Sequence, residues 1–301
     1  MTRPTILHMV TPDANLSPFD VNMAIDAGWQ HCLPYTGLKR AEIADLTQDA
    51  IFSRGPKGVR HTGMFVGGRD QNVAMDMLEA ARAAMIPPFE ISVFADPSGA
   101  FTTAAGMIAC AERTLRLGKD GGIANRRVLV FGGTGPVGAV CAILAAGAGA
   151  EVSIVSHESL AKAVAVAKQC SERFGVSLHG ADGSDDGRIR SLLVDAEIVF
   201  SAAKAGVQVL TASHLHGANQ LLVACDVNAV PPAGIEGIDV MADGEPLLAG
   251  SGRARGIGAL AVGNVKYRAQ QALLGQMLET ERPVYLHFEH ALKAARDYTK
   301  G

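Results

Sequence analysis

Gly133, Gly135 and Gly138 follow a short apolar run, Val128-Leu129-Val130-Phe131, in this 301-residue chain. Their G-x-G-x-x-G spacing suits a strand that turns sharply into a helix. The first glycine allows the turn, the second lets bare backbone approach a pyrophosphate, and the third lets the helix pack close to its strand. The helix N-terminus then offers free N–H groups and a partial positive charge to the phosphates. Pro136 falls near the first helical positions, where a missing N–H costs little. Thr134 and Val137 complete the predicted phosphate-binding turn, and small residues from Ala139 to Ala148 continue the helix. Glycine turns also serve plain strand-to-helix packing. What favours a ligand here is a second hydrophobic strand, Glu151 to Val155, at the distance one βαβ unit requires. The chemistry indicated is binding of a dinucleotide.

The adenosine end of such a ligand lies just past the second strand, where Ser156 and His157 stand. A carboxylate there would accept the ribose hydroxyls and an arginine would receive a 2′-phosphate. With neither present, the expected cofactor is NAD, with NADP also usable. Glu158 and Ser159 read equally well as caps of the following helix. Two further buried runs end in residues expected along the cofactor, because ligands lie at the carboxyl ends of strands in doubly wound sheets. They deliver Ser201, Ala202 and Ala203 in one case and Asp226 and Asn228, toward the nicotinamide, in the other. Lys204 reads as a cofactor neighbour or as an ordinary exposed lysine.

The elements that position these residues alternate strand and helix along the whole chain, so the fold class is α/β with two domains. Strands are expected at Ile6–Val10, Cys32–Tyr35, Gly63–Val66 and Ile91–Ala95, with helices after Ser17, from Arg40 and from Asn72. These form an N-terminal α/β domain over 1–105, completed by C-terminal helices in 268–301. A Rossmann-like, doubly wound parallel sheet domain occupies 106–267, with strands also predicted near Val176–His179, Asp195–Ala203 and Leu221–Asp226. Between the domains, Asp96-Pro97-Ser98-Gly99-Ala100-Phe101-Thr102-Thr103 is a polar loop that opens a long helix toward Leu117. Its position at a strand end marks it as ligand-facing.

Composition excludes several other functions. Hydrophobic residues make up 48% of the chain, charged residues 19%, and the net charge is −3. No basic face suggests nucleic acid, and no apolar run is long enough to span a bilayer. The first residues lack the apolar core of a signal peptide, so the expected compartment is the cytoplasm. Five scattered cysteines without a C-x-x-C pair argue against a disulfide framework or a zinc site. His214-Leu215-His216 and His287-Phe288-Glu289-His290 lack a third ligand at familiar spacing, so no metal is expected.

Longer blocks carry a more specific signal. Ser17-Pro18-Phe19-Asp20-Val21-Asn22-Met23-Ala24-Ile25-Asp26-Ala27-Gly28, Thr47 to Arg54, Phe94 to Thr103, Ala224 to Ile235 and Gly256 to Tyr267 span nearly the whole chain. Through them the chain resembles the NAD(P)-dependent methylene-tetrahydromethanopterin dehydrogenases of methylotrophic bacteria. The resemblance implies hydride transfer from 5,10-methylene-tetrahydromethanopterin, or its dephospho form, to NAD or NADP. The methenyl derivative is the product, within one-carbon metabolism and formaldehyde oxidation. It also implies a folate dehydrogenase/cyclohydrolase-like two-domain fold and a homo-oligomer, a trimer or hexamer. The NADP-specific sister enzymes carry an arginine after the second strand, where this chain has Ser156-His157.

This chemistry needs little acid or base catalysis. The ring nitrogen expels the hydride, and the protein supplies orientation and tolerance of a growing positive charge. Asp20 and Asp96 are candidates for holding the pterin or stabilising that charge, and each also reads as a cap or turn former. Ser98 and Gly99 are expected to bind substrate, Thr102 and Thr103 would hydrogen-bond the pterin's amide edge, and Phe19 and Phe101 would stack on its rings, although buried aromatics more often pack a core. Lys266 matches the family's cleft lysine and is expected to position substrate. Tyr35 and Lys39 have the Tyr-x-x-x-Lys spacing of folate cyclohydrolases, but Thr36-Gly37 between them makes a poor helix. Methylene-tetrahydrofolate as carrier, and a dinucleotide sensor without turnover, are the alternative readings. A shikimate-dehydrogenase-like enzyme would need a Lys and Asp pair that the sequence does not place.

Overall fold

Apolar runs bounded by glycine, proline or Asx residues become the central strands of two separate sheets. The computed structural model describes residues 3–300. They divide into two units, one of the residues up to Thr102 with Tyr267–Ala294, the other of Thr103–Lys266 with the residues from Ala295 on.

The first unit is built on β1 (Ile6–Val10), β2 (His31–Tyr35), β3 (Thr62–Val66), β4 (Ser92–Ala95) and a two-residue strand from far along the chain, β12 (Tyr285–Leu286). Their order is β12-β4-β3-β1-β2 and every pair is parallel. Counted along the chain this is 2-1-3-4-5. The order reverses between β1 and β3, and ligands bind outside the strand carboxyl ends at such a switch point. Helices α1 (Pro18–Asp26), α2 (Ile43–Phe52), α3 (Pro56–Val59) and α4 (Gln71–Ala83) connect the strands. Asp70 caps α4 by accepting the N–H groups of Asn72 and Val73. Strands buried on both faces read as continuous apolar runs rather than alternating ones. Accordingly all of β3 and β4 is buried, and Phe65 meets Phe94 edge-on at 5.5 Å. The only tryptophan of the chain, Trp29, is buried and donates its indole N–H to the Leu274 carbonyl at 3.2 Å.

The second unit begins within α5 (Ala100–Leu117) and carries β5 (Arg127–Phe131), β6 (Glu151–Ser156), β7 (Leu178–Asp182), β8 (Ile198–Ser201), β9 (Val223–Asp226), β10 (Asp243–Pro246) and β11 (Arg255–Ile257). The sheet order is β10-β11-β9-β8-β5-β6-β7. Six parallel strands thus run 3-2-1-4-5-6 from the β7 edge, the doubly wound order, and β10 adds an antiparallel edge. Helices α6 (Pro136–Gly147), α7 (Leu160–Phe174), α8 (Asp186–Leu193) and α9 (Ala212–Leu215) link them. α6 is buried continuously from Gly138 to Leu144, which explains its small residues and lack of a polar stripe. α7 is amphipathic, capped by Ser159 and closed by Gly175 at φ +67°.

β7 runs to Asp182, beyond the stretch expected from apolar residues, because its pairing with β6 continues to the Ser156–Asp182 register. Gly180 sits inside it for packing, since a Cβ there would lie 2.4 Å from the Val164 amide of α7. The chain ends through α10 (Ala259–Glu279) and α11 (Phe288–Thr299). Among the described residues no helix is long and apolar enough to cross a membrane.

Candidate functional site

β5 leaves the sheet at Phe131, and Gly132 turns the chain with φ +69°. The turn closes with the Gly135 N–H donating to the Gly132 carbonyl at 3.0 Å, after which Pro136 opens α6. The glycines are not equivalent. A Cβ on Gly138 would sit 2.4 Å from the Gly132 oxygen, and one on Gly133 2.7 Å from the Val130 oxygen, so both are required by packing. A Cβ on Gly135 would meet only the Gly132 oxygen, at 3.4 Å, and the backbone there (φ −88°, ψ 168°) suits any residue. Thr134, Gly135, Pro136 and Val137 are half-buried, forming an accessible rim. That leaves Gly135 bare for something outside the protein, which is what a pyrophosphate against a helix N-terminus requires.

The neighbouring strand ends surround this turn. A Cβ on Gly132 would lie 2.5 Å from the Ala202 oxygen and 2.6 Å from the Ala203 nitrogen, so the chain just past Ser201, the last residue of β8, abuts it directly. Lys204 is exposed. Ser156, at the tip of β6, is buried, and its hydroxyl accepts the Glu158 N–H at 3.2 Å, while His157 is exposed. Ser159 accepts the Lys162 N–H, and Glu158 pairs with Lys162, so both serve the start of α7. At the tip of β9 the polar groups hold loops. The Asp226 carboxylate accepts the N–H groups of Asn228 and Ile235, each at 3.1 Å, and burial raises its pKa. Asn228 accepts from Gly206 and Val230 and donates to the Pro232 carbonyl, tying the loop after β8 to the loop after β9. Both residues shape the rim by fixing backbone.

In the first unit the loops at the carboxyl ends of β1, β3 and β4 are locked together. Gly68, at φ +111°, places its Cα against Pro12, where a Cβ would sit 3.0 Å from the proline ring. Ser98 donates its hydroxyl to the Gly68 carbonyl at 2.8 Å. Ser98 and Gly99 both have left-handed backbone, with φ 51° and 65°. Such a conformation is unfavourable for serine and is held by its surroundings. Asp96 is fully buried. Its Oδ1 accepts the N–H groups of Phe101 (2.9 Å) and Thr102 (3.2 Å), and its Oδ2 accepts the Thr102 hydroxyl at 2.6 Å. The carboxylate therefore fastens the start of α5, the capping role that the sequence left open beside a pterin contact. Thr103 is half-buried in the same first turn.

Asp20 lies in the first turn of α1, 3% exposed, and accepts the Gln270 side-chain amide at 3.1 Å. Gln270 is absent from the sequence-based site, because it lies 250 residues away and only the fold reveals it. Lys266 is half-buried on α10, one turn before Gln270. The two phenylalanines differ in reach. Phe19 is 44% exposed, whereas Phe101 is fully buried and packs edge-on against Phe288 at 5.4 Å. Tyr35 ends β2 and Lys39 precedes a 3-10 turn, so the two share no helix face. His287 follows β12 at the same sheet end, and burial with His290 beside it lowers its pKa to about 4.

The doubly wound sheet with its glycine turn defines a dinucleotide-binding protein of dehydrogenase fold. Shikimate 5-dehydrogenase from Listeria monocytogenes, solved with shikimate and NAD, superposes with a TM-score of 0.52 at 16% identity, covering 99% of this chain and 95% of that one. Quinate dehydrogenase from Corynebacterium glutamicum, solved with NAD, gives 0.52 at 12% identity over 97% and 98%. These likenesses concern the fold alone. Residues 18–98 match the family model for the N-terminal part of methylene-tetrahydromethanopterin dehydrogenase. The chain is 46% identical over 97% of both lengths to the NAD(P)-dependent methylenetetrahydromethanopterin dehydrogenase of Methylorubrum extorquens. A protein of that organism called bifunctional protein MdtA is 31% identical, over 93% of this chain and 94% of its own. The chain belongs to the methylene-tetrahydromethanopterin dehydrogenase family.

Proposed function

We propose that this chain oxidises 5,10-methylene-tetrahydromethanopterin, or its dephospho form, to the methenyl derivative by hydride transfer to NAD or NADP. The carrier follows from the 46% identical relative, and the cofactor from the bare Gly135 beside two glycines that packing requires. When bound, the nicotinamide supplies the hydride acceptor. The second unit is the dinucleotide domain in this reading. Gly133 to Gly138 receive the pyrophosphate, Ser156 and His157 flank the adenosine ribose, Ser201 to Ala203 line the cofactor, and Asp226 and Asn228 fix the loops beside it.

The first unit is the pterin domain. Ser98 and Gly99 offer a rigid loop at the carboxyl end of β4, and Asp96 and Thr102 hold that loop in place; Thr103, where the second unit begins on the same helix, is the further hydroxyl assigned to substrate. Phe19 is the aromatic that a pterin ring can reach. Asp20, oriented by Gln270, supplies negative charge for the growing cation, and Lys266, the residue before the first unit resumes on α10, is assigned to positioning the substrate. Holding both reactants in register is the largest contribution open to such a site, because the substrate nitrogen itself expels the hydride. We read the protein as a cytoplasmic homo-oligomer, trimer or hexamer, as the resemblance to its family implies.

The test is the absorbance rise of reduced nicotinamide and methenyl-pterin when purified protein meets methylene-tetrahydromethanopterin or methylene-tetrahydrofolate, each with NAD and with NADP. Turnover with the methanopterin supports the assignment. Turnover with folate alone moves the carrier, and cofactor binding without turnover on either pterin leaves a sensor.

A further inference from the structure

Two loops meet where β6 and β7 end. Ser156 and Asp182 are register partners, and the Gly183 N–H donates to the Ser156 carbonyl at 2.9 Å. Neighbouring strands lie about 4.8 Å apart, so a carboxylate stands one strand over from the place where a ribose-binding acid is usually found. Asp182 is held by the Ser184 N–H at 3.0 Å and by the guanidinium of Arg188. Arg188 also donates through Nε to Asp185 at 2.8 Å, and Asp185 caps α8 by accepting the Arg188 backbone N–H at 2.9 Å. On the β6 side, Lys162 is paired with Glu158. Three carboxylates thus face two cations at the rim where the adenosine ribose would lie, and both cations already have partners.

A 2′-hydroxyl and a 2′-phosphate meet this rim differently. The hydroxyl finds an acceptor in Asp182. The phosphate brings nearly two negative charges and needs a cation released from its carboxylates. Arg188 is the better placed of the two cations, because its clamp includes the residue registered with Ser156. It also offers a planar fork suited to phosphate. Its side chain is 54% exposed beside Asp182 at 16% and Asp185 at 57%, so the guanidinium is open to solvent and the Asp185 half of the clamp is an exposed pair that loses little when it is exchanged.

We propose that Arg188, clamped by Asp182 and Asp185, sets the balance between NAD and NADP: clamped, it holds the Asp182 carboxylate in place with lone pairs left to accept a ribose hydroxyl of NAD, and released, it takes the 2′-phosphate of NADP. This rests on the cofactor lying on the Gly133–Gly138 turn as proposed above.

The experiment titrates NADH and NADPH separately into unaltered protein, Arg188→Gln, Asp182→Asn and Lys162→Gln, reading nicotinamide fluorescence. Arg188→Gln is expected to lower NADPH affinity relative to NADH about tenfold, the lower end of what one hydrogen bond to a charged group contributes. Asp182→Asn should shift the ratio toward NADPH by a similar factor. The unaltered protein should lose NADPH faster than NADH as salt rises, and Arg188→Gln should remove that difference. An unchanged ratio in Arg188→Gln, or the selective loss appearing in Lys162→Gln instead, would overturn the assignment to Arg188 alone. Failure of the unaltered protein to bind NADH would overturn the cofactor placement as well.

Discussion

Replacing Gly135 with alanine separates binding from folding. The added methyl meets a single atom, the Gly132 oxygen at 3.4 Å, and the backbone at φ −88° accepts alanine without strain. Alanine is a poorer N-cap than glycine by about 0.5 kcal/mol or somewhat more, while the lost freedom of the unfolded chain returns about 0.4–1 kcal/mol. Stability should therefore stay within about 1 kcal/mol of the original. NADH affinity should fall roughly ten- to a hundredfold, because the methyl occupies the approach of the pyrophosphate and overpacks it by about 1–3 kcal/mol. Gly138→Ala is the contrasting case. Its methyl would press on backbone at 2.4 and 2.7 Å, so α6 must move off the turn. That overpacking costs about 1–3 kcal/mol, offset in part by about 1 kcal/mol of better helix propensity. Thermal unfolding and NADH titration of both variants decide the matter. Gly135→Ala with unimpaired NADH binding and unchanged melting would refute the reasoning, since the bare position would then serve nothing.

Four further outcomes follow from the geometry. Thr102→Val removes the donor at 2.6 Å from the buried Asp96 carboxylate, and urea unfolding should show a loss of about 1.5–3 kcal/mol. Phe101→Ala should cost about 3–5 kcal/mol by emptying a fully buried site, whereas Phe19→Ala should raise the KM for the pterin with little change in the urea midpoint. Burial, with His290 beside it, pushes the pKa of His287 down from the ordinary 6.5 to about 4 in the folded chain. Its neutral form is the one that folding favours, so the unfolded chain binds more protons between those values. The contribution is complete above about pH 6.5 and is lost as pH falls toward 4, by up to about 3 kcal/mol. A His287→Asn variant should show a shallower decline of melting temperature across that window.

The glycine turn was legible because its spacing encodes local geometry, and the structure adds that Gly133 and Gly138 serve packing while Gly135 does not. The apolar runs of β1, β3, β5, β6 and β9 were legible for the same local reason. Asp96 remained ambiguous between cap and ligand contact, since deciding requires knowing that the N–H groups of Phe101 and Thr102 turn back toward it. The Asp20–Gln270 pair lay out of reach, being closed only when α10 returns to α1. β10, β11 and β12 have four, three and two residues, too few for any period to show, and exist because of their partners. α8 could have been found from Ser184-Asp185-Asp186, a capping signal with acidic residues in the first turn. With it would have come Arg188, the cation missing from the sequence-based ribose end.

Because β12 comes from residues 285–286, the sheet around the chain's beginning is finished by nearly its end. During synthesis the first four strands emerge early and wait, while the seven-stranded sheet has all its parts once Ile257 has left the ribosome. The sheet made second thus has all its strands first, and the sheet made first waits for β12 and for α10. Trp29 reports that moment, since its indole reaches a carbonyl 245 residues downstream. A stalled or truncated chain should keep the fluorescence of a wet tryptophan, and the completed one should not.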